Sequence, residues 1–177
     1  TAIESRTPYN ANHTKNVSKL CSDFVDYLIE NKYYNLTNNE KEQLVMGAML
    51  HDIGKMIVPL NVMNKSSRLE SKIDLMKVRW KLIESDLENK YLKNIYDINT
   101  YNEKLDELKN ACEFIESINN IGFMDSDKVA KAKEIISLEY ETQFGKLKVV
   151  EESEENDVLI IKGTLTKDER LEIEKHA

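Results

Sequence analysis

The sequence predicts an all-α protein with one small β-hairpin, and three observations carry that prediction. Glycine and proline are scarce, five and two in 177 residues, so long stretches run without the residues that interrupt helices. Apolar residues recur at steps of three and four along most of the chain instead of alternating. Thr37 and Thr166 each stand three residues before a glutamate, Glu40 and Glu169. At that spacing the two side chains satisfy each other's orphan backbone donors at a helix start.

The first helix is announced by Thr7-Pro8, since proline suits a first turn. Val17, Leu20, Cys21, Phe24, Val25 and Leu28 predict one buried stripe along it, and His13, four residues before Val17, extends that stripe. The second helix starts at the Thr37-Glu40 box and is expected to bury Leu44, Val45, Ala48 and Met49, with Asp52 on the continuation of that face. His51 lies about 100° round from Asp52 at roughly 3.6 residues per turn, so both reach one pocket from neighbouring angles. A buried carboxylate needs a cation, either a metal ion or a basic side chain. Gly54 is expected as a left-handed C-cap that lets Lys55 project beyond the helix end. If the two helices pack by their stripes, His13 arrives where His51 and Asp52 lie.

Ser67 and Glu70 predict another helix start, followed by Leu69, Ile73, Met76, Trp80, Ile83 and Leu87 at nearly heptad spacing. Beyond a turn near Asp97-Ile98-Asn99, Leu105, Leu108, Cys112 and Ile115 repeat the pattern. The pair reads as an antiparallel helical hairpin projecting from the core and able to serve as a dimerisation arm; the alternative is two further core helices. Gly122 breaks the pattern, and Ser126 is expected to cap a shorter helix carrying Val129, Ala132 and Ile136. Residues 144–150 and 158–161 look strand-like, and the acidic run between them, Glu151 to Asp157, suits a solvated hairpin loop without a function of its own.

Charge and composition exclude several classes. A net charge of -7 argues against a nucleic-acid polymer as partner, because phosphate backbones are held by excess Lys and Arg, while a small phosphate ester bound through metal ions stays open. No run of about 18 apolar residues spans a membrane, and no signal-peptide core is visible. Cys21 and Cys112 fall on apolar stripes without metal-type spacing, as reduced cysteines of a cytoplasmic protein would.

Taken together, the His13 helix, the run Leu50-His51-Asp52-Ile53-Gly54-Lys55 with Pro59 beyond it, and Gly163-Thr164-Leu165-Thr166 leading to Glu169-Arg170 and His176 resemble the HD-superfamily metal-dependent phosphohydrolases of the HD-GYP branch. Pro8-Tyr9-Asn10-Ala11-Asn12-His13 is similar to the Pro-Tyr-Thr-x-x-His opening of many members. Asn64 to Glu70 and Val78-Arg79-Trp80 look like a subgroup with a long helical insertion. The resemblance implies an HD helical core over 1–63, a helical insertion over 64–143, a β-hairpin over 144–163 and the start of the next core helix over 164–177.

It further implies that His13, His51, Asp52 and His176 are metal ligands, with Asp52 bridging two divalent ions, and that Lys55 stands beside the scissile phosphate with Asp52 as the other catalytic group. All three histidines of the chain fall on ligand positions. Tyr9 occupies the place of an acidic residue found in members with a third metal, which favours two ions. Nitrogen and carboxylate donors without thiolates suit iron or manganese first and zinc second. The implied activity is a phosphodiesterase of cyclic di-GMP or a related cyclic dinucleotide. The paired histidine, later aspartate and Gly-Tyr-Pro segment of that pattern do not occur here, so the chain reads as an inactive fragment with an incomplete metal set. An HD phosphohydrolase of nucleotide monophosphates or triphosphates shares the same front-end ligands. A non-catalytic sensory or homodimeric module built on the helical hairpin is the reading from another class.

Overall fold

A computed structural model of the chain describes residues 12–70 and 72–175. In chain order the elements are α1 (His13–Glu30), α2 (Asn38–Leu50), a 3-10 turn (Ile53–Ile57), α3 (Leu60–Met63), α4 (Ile73–Leu92), α5 (Ile98–Asn119), α6 (Ser126–Ile136), β1 (Glu139–Thr142), β2 (Gly145–Lys148), α7 (Glu152–Val158) and α8 (Lys167–Glu174). The described chain is thus mostly helical with one small antiparallel sheet. It divides into two compact units, Thr1–Asn64 with Lys167–Ala177, and Lys65–Thr166.

In the first unit α1 packs against α2. The contacts His13 with His51 and Asp26 with Lys41 show that the helices run in opposite directions. At the start of α2, Thr37 and Glu40 form the expected capping box. The expected buried stripes do not form. Of the α1 set only Val25 is buried, while Leu20 and Phe24 are 68% and 60% exposed, and on α2 Leu44 and Met49 are also exposed. The reason is geometric: among the described elements α1 and α2 pack chiefly on each other, and one neighbour covers a single line of a wide apolar face. The Thr7-Pro8 start lies outside the described residues.

The Lys65–Thr166 unit has its own core. Leu69, Met76, Trp80, Ile83 and Leu87 on the α4 side meet Leu108, Ala111, Ile115 and Ile118 of α5, and Met124, Ala132, Ile135, Tyr140, Val149, Val150 and Val158 close the cluster. The antiparallel sense of α4 and α5 shows in Lys77 with Glu116, Glu84 with Lys109, and the stacked rings of Tyr91 and Tyr101. Asn94, at φ 57, makes the left-handed turn that ends α4. Trp80 fixes the sheet side by donating its indole N–H to the Val149 carbonyl at 2.8 Å. The seam of the helical hairpin is the core of this unit, and the stretches 65–143 and 144–163 belong to it together.

Three local expectations are corrected here. The strands are β1 and β2, paired from Glu139 with Lys148 to Thr142 with Gly145, and the tight turn works because Gly145 takes a positive φ of 99. The acidic run is helix α7, not a loop: Glu151 and Glu154 form a capping box, and acidic residues in a first turn suit the positive end of the helix dipole. Asp125, not Ser126, caps α6, with its carboxylate accepting from the Lys128 N–H.

Candidate metal centre

The antiparallel packing of α1 and α2 brings the first residue of α1 to the last turn of α2. His13 opens α1 and His51 closes α2 while still in helical conformation. Asp52 then leaves the helix and heads the 3-10 turn. Gly54 lies inside that turn and is not among the left-handed glycines, so the expected C-cap role is not realised. The turn itself takes over, because the Lys55 N–H donates to the Asp52 carbonyl at 2.9 Å and carries the Lys55 side chain back over Asp52.

Three donor atoms converge. His13 Nε2 and His51 Nε2 are 3.3 Å apart, and they lie 3.5 and 3.3 Å from the same atom, Asp52 Oδ2. Among the described residues this is the one grouping of three His, Cys, Asp or Glu donors with metal-type spacing. The spacing fits an ion: bonds of about 2.1 Å at tetrahedral or octahedral angles put neighbouring donors about 3.4 or about 3.0 Å apart.

The hydrogen-bond polarity fits as well. His51 Nδ1 sits 2.7 Å from the Ala48 carbonyl oxygen. A carbonyl can only accept, so Nδ1 carries the proton, and in the neutral form of the ring Nε2 is then the lone pair. Nε2 faces the Asp52 carboxylate at 3.3 Å, so in the neutral ring the lone pair and the carboxylate can share a cation.

Asp52 is buried, with its side chain 7% exposed, whereas the His13 and His51 side chains are 44% and 38% exposed. The centre has a closed carboxylate floor and an open imidazole rim. Lys55 Nζ donates to Asp52 Oδ2 at 2.8 Å. Burial is the largest influence on the Asp52 carboxyl and pushes its pKa up, but the Lys55 hydrogen bond and the charges of Lys55, His51 and His13 together prevail and hold it below the usual carboxylate range.

His13, His51, Asp52 and Lys55 are thus brought together, while His176 lies outside the described residues. The Ala48 carbonyl is a contributor that sequence reasoning missed, because a backbone group three residues before a histidine leaves no residue-type signal. No family model matches the chain, and neither a curated protein nor a solved structure is recognisably similar to it.

Proposed function

We propose that this chain belongs to a divalent-metal-dependent phosphohydrolase in which His13, His51 and Asp52 hold an ion. The observation that carries the reading is the triangle of Nε2, Nε2 and Oδ2 at 3.3 to 3.5 Å, with one corner fixed in its ligand tautomer by Ala48. A bound divalent ion would supply Lewis acidity and a water of lowered pKa. The chain's own groups do the rest. His13 and His51 offer their rings from the open side, where a substrate phosphate can reach. Asp52 holds the negative charge that retains a cation in a buried position. Lys55 stands next to that carboxylate, where its ammonium can bind an equatorial phosphate oxygen and stabilise charge that develops on it.

The substrate side of the proposal rests on the resemblance to HD-GYP phosphohydrolases: a cyclic dinucleotide such as cyclic di-GMP, with Asp52 bridging a second ion and His176 as a further ligand. Iron or manganese suits a two-histidine, one-carboxylate donor set with room for water and substrate. The test is metal analysis of the protein loaded with Fe²⁺, Mn²⁺ or Zn²⁺, followed by hydrolysis assays on cyclic di-GMP, a linear dinucleotide and nucleotide monophosphates and triphosphates. Metal uptake with cleavage of the cyclic dinucleotide supports the full reading. Cleavage confined to nucleotides moves the substrate to the HD nucleotide hydrolase class. A protein that takes up none of these ions is not a metallohydrolase.

A further inference from the structure

Arg68 sits in the turn before α4, inside the Lys65–Thr166 unit, and is 1% exposed. It covers the carboxyl end of α5: its backbone N–H donates to the Asn119 carbonyl at 3.1 Å, Leu69 N–H donates to Asn119 Oδ1 at 2.8 Å, and the guanidinium Nη1 donates to the Ile118 carbonyl. The negative end of the α5 dipole accounts for that contact. The other side of the guanidinium is unaccounted for. Nε and Nη2 are both buried and neither has a hydrogen-bond partner.

These two N–H groups form one edge of the planar guanidinium and point the same way, as a fork that takes two oxygens of a carboxylate or phosphate at once. The buried carboxylates of the unit do not fill it. Glu154 pairs with Arg79 at 2.5 Å, and Asp157 pairs with Lys65 at 2.6 Å and Lys72 at 2.7 Å. Asp86 lies 2.9 Å from Lys90, a contact of charge more than of hydrogen-bond alignment. Among the described residues of this unit each buried carboxylate has a cation, whereas no carboxylate pairs with Arg68. Burial alone lowers its pKa, yet arginine keeps its proton in proteins, so the charge stays and needs an anion.

We propose that the Nε and Nη2 edge of Arg68 is a receptor for a small oxyanion, held by two parallel hydrogen bonds. The ligand chemistry is a phosphate or carboxylate group with two oxygens in one plane. The edge has no solvent contact, so the proposal requires the 66–70 turn, where Ser66 Oγ donates to Glu70 Oε2 at 3.0 Å, to open for the anion. The proposal does not depend on the metal reading, since the His13, His51 and Asp52 cluster belongs to the other unit.

The test uses the full chain, metal-free and in chloride buffer, titrated separately with inorganic phosphate and with acetate. Melting temperature and the NMR signal of the Arg68 Nε–H are followed. The expected result is a rise in Tm by several degrees and a saturable shift of the Nε–H signal; the anion that acts at lower concentration identifies the ligand as phosphate-like or carboxylate-like. Arg68→Met removes the unpaired charge while keeping bulk, so it is expected to melt higher than the wild type in chloride and to lose the anion response. Arg68→Lys keeps the charge without the fork, and its response is expected at anion concentrations at least about tenfold higher. If neither anion moves the wild-type Tm or the Nε–H signal, or if either variant responds as the wild type does, the receptor assignment is overturned.

Discussion

His51 Nδ1 lies 2.7 Å from the carbonyl oxygen of Ala48, and this contact decides what the opposite nitrogen of the ring can do. With Nδ1 protonated, the neutral ring would present Nε2 to Asp52 Oδ2, 3.3 Å away, as a lone pair. Nitrogen NMR at pH 8 is expected to show the Nδ1–H tautomer of His51, and Zn²⁺ is expected to shift its Nε2 resonance. Asp52→Ala is expected to weaken Zn²⁺ binding by more than about tenfold, a typical loss when a metal site is disturbed. A ring protonated on both nitrogens would reduce the pair to an imidazolium on a carboxylate and remove the argument for a metal.

Glu154 joins α7 to the rest of its unit. Its Oε2 accepts from Arg79 Nη2 at 2.5 Å and from the Glu151 N–H at 2.8 Å, and the side chain is 7% exposed. Glu154→Ala takes away both the capping partner and the carboxylate facing a mostly buried guanidinium, so a loss of about 3 kcal/mol is expected. Urea unfolding followed by Trp80 fluorescence measures it, since Trp80 is bonded to Val149 beside the same arginine. An unchanged midpoint would show that the Glu154 carboxylate contributes nothing to the stability of the unit.

What could be read from the sequence was what local spacing controls. The Thr37 and Glu40 box, the α4 stripe from Met76 to Leu87 and the meeting of His13 with His51 and Asp52 follow from residue types at fixed steps, whereas α4 starts at Ile73 and not at the Ser67 and Glu70 pair. What failed depended on neighbours or on backbone groups. Periodicity gives the apolar face of α1 but not what covers it, so Leu20 and Phe24 lie on the predicted buried stripe and yet stand exposed. The charge of the acidic run suggests a solvated loop, whereas Glu151 and Glu154 use the same charges to cap a helix. Gly54 sits in a 3-10 turn because the Asp52 carbonyl finds the Lys55 N–H. The open edge of Arg68 has no signature in sequence at all.

Acid stability is expected to depend on Asp86. Burial is the largest influence on its carboxyl and raises the pKa, but contact with Lys90, the Gln143 N–H and the charges of Lys90 and Lys93 outweigh it and bring the value below normal. The folded state therefore binds the Asp86 proton less readily than the unfolded state. Its contribution is complete above the unfolded carboxylate value of about 3.9 and is lost as pH falls through the lower folded value. In a melting series below pH 4, Asp86→Asn should lose less stability than the wild type. Parallel curves for the two proteins would exclude Asp86 as a source of acid sensitivity.

Cys112 is expected to be inert in the native protein. Burial, then the charges of Glu116 and Glu84, push its thiol up to about 12, so at pH 9 only about one molecule in a thousand carries the reactive thiolate. Iodoacetamide at pH 9, read by peptide mass spectrometry, should label Cys112 slowly in buffer and hundreds of times faster in denaturant. Rapid native labelling would mean that α5 opens locally at that turn.

Lys55 separates the structural and the catalytic use of the same ion pair. Its Nζ donates to Asp52 Oδ2 at 2.8 Å, the oxygen that also faces both histidines. A cation in the His13, His51 and Asp52 triangle competes with the ammonium for that oxygen and leaves Lys55 available to a phosphate. Lys55→Met should therefore bind Mn²⁺ at least as tightly as the wild type, because a competing positive charge is gone, while phosphodiester hydrolysis should fall by about 10² to 10³, the usual loss when one stabilising donor is removed. Isothermal titration with Mn²⁺ and a turnover assay on the same preparation read the two effects separately. Weaker Mn²⁺ binding in Lys55→Met would make the lysine a positioning residue that orients Asp52, and full turnover with normal metal content would remove it from the reaction.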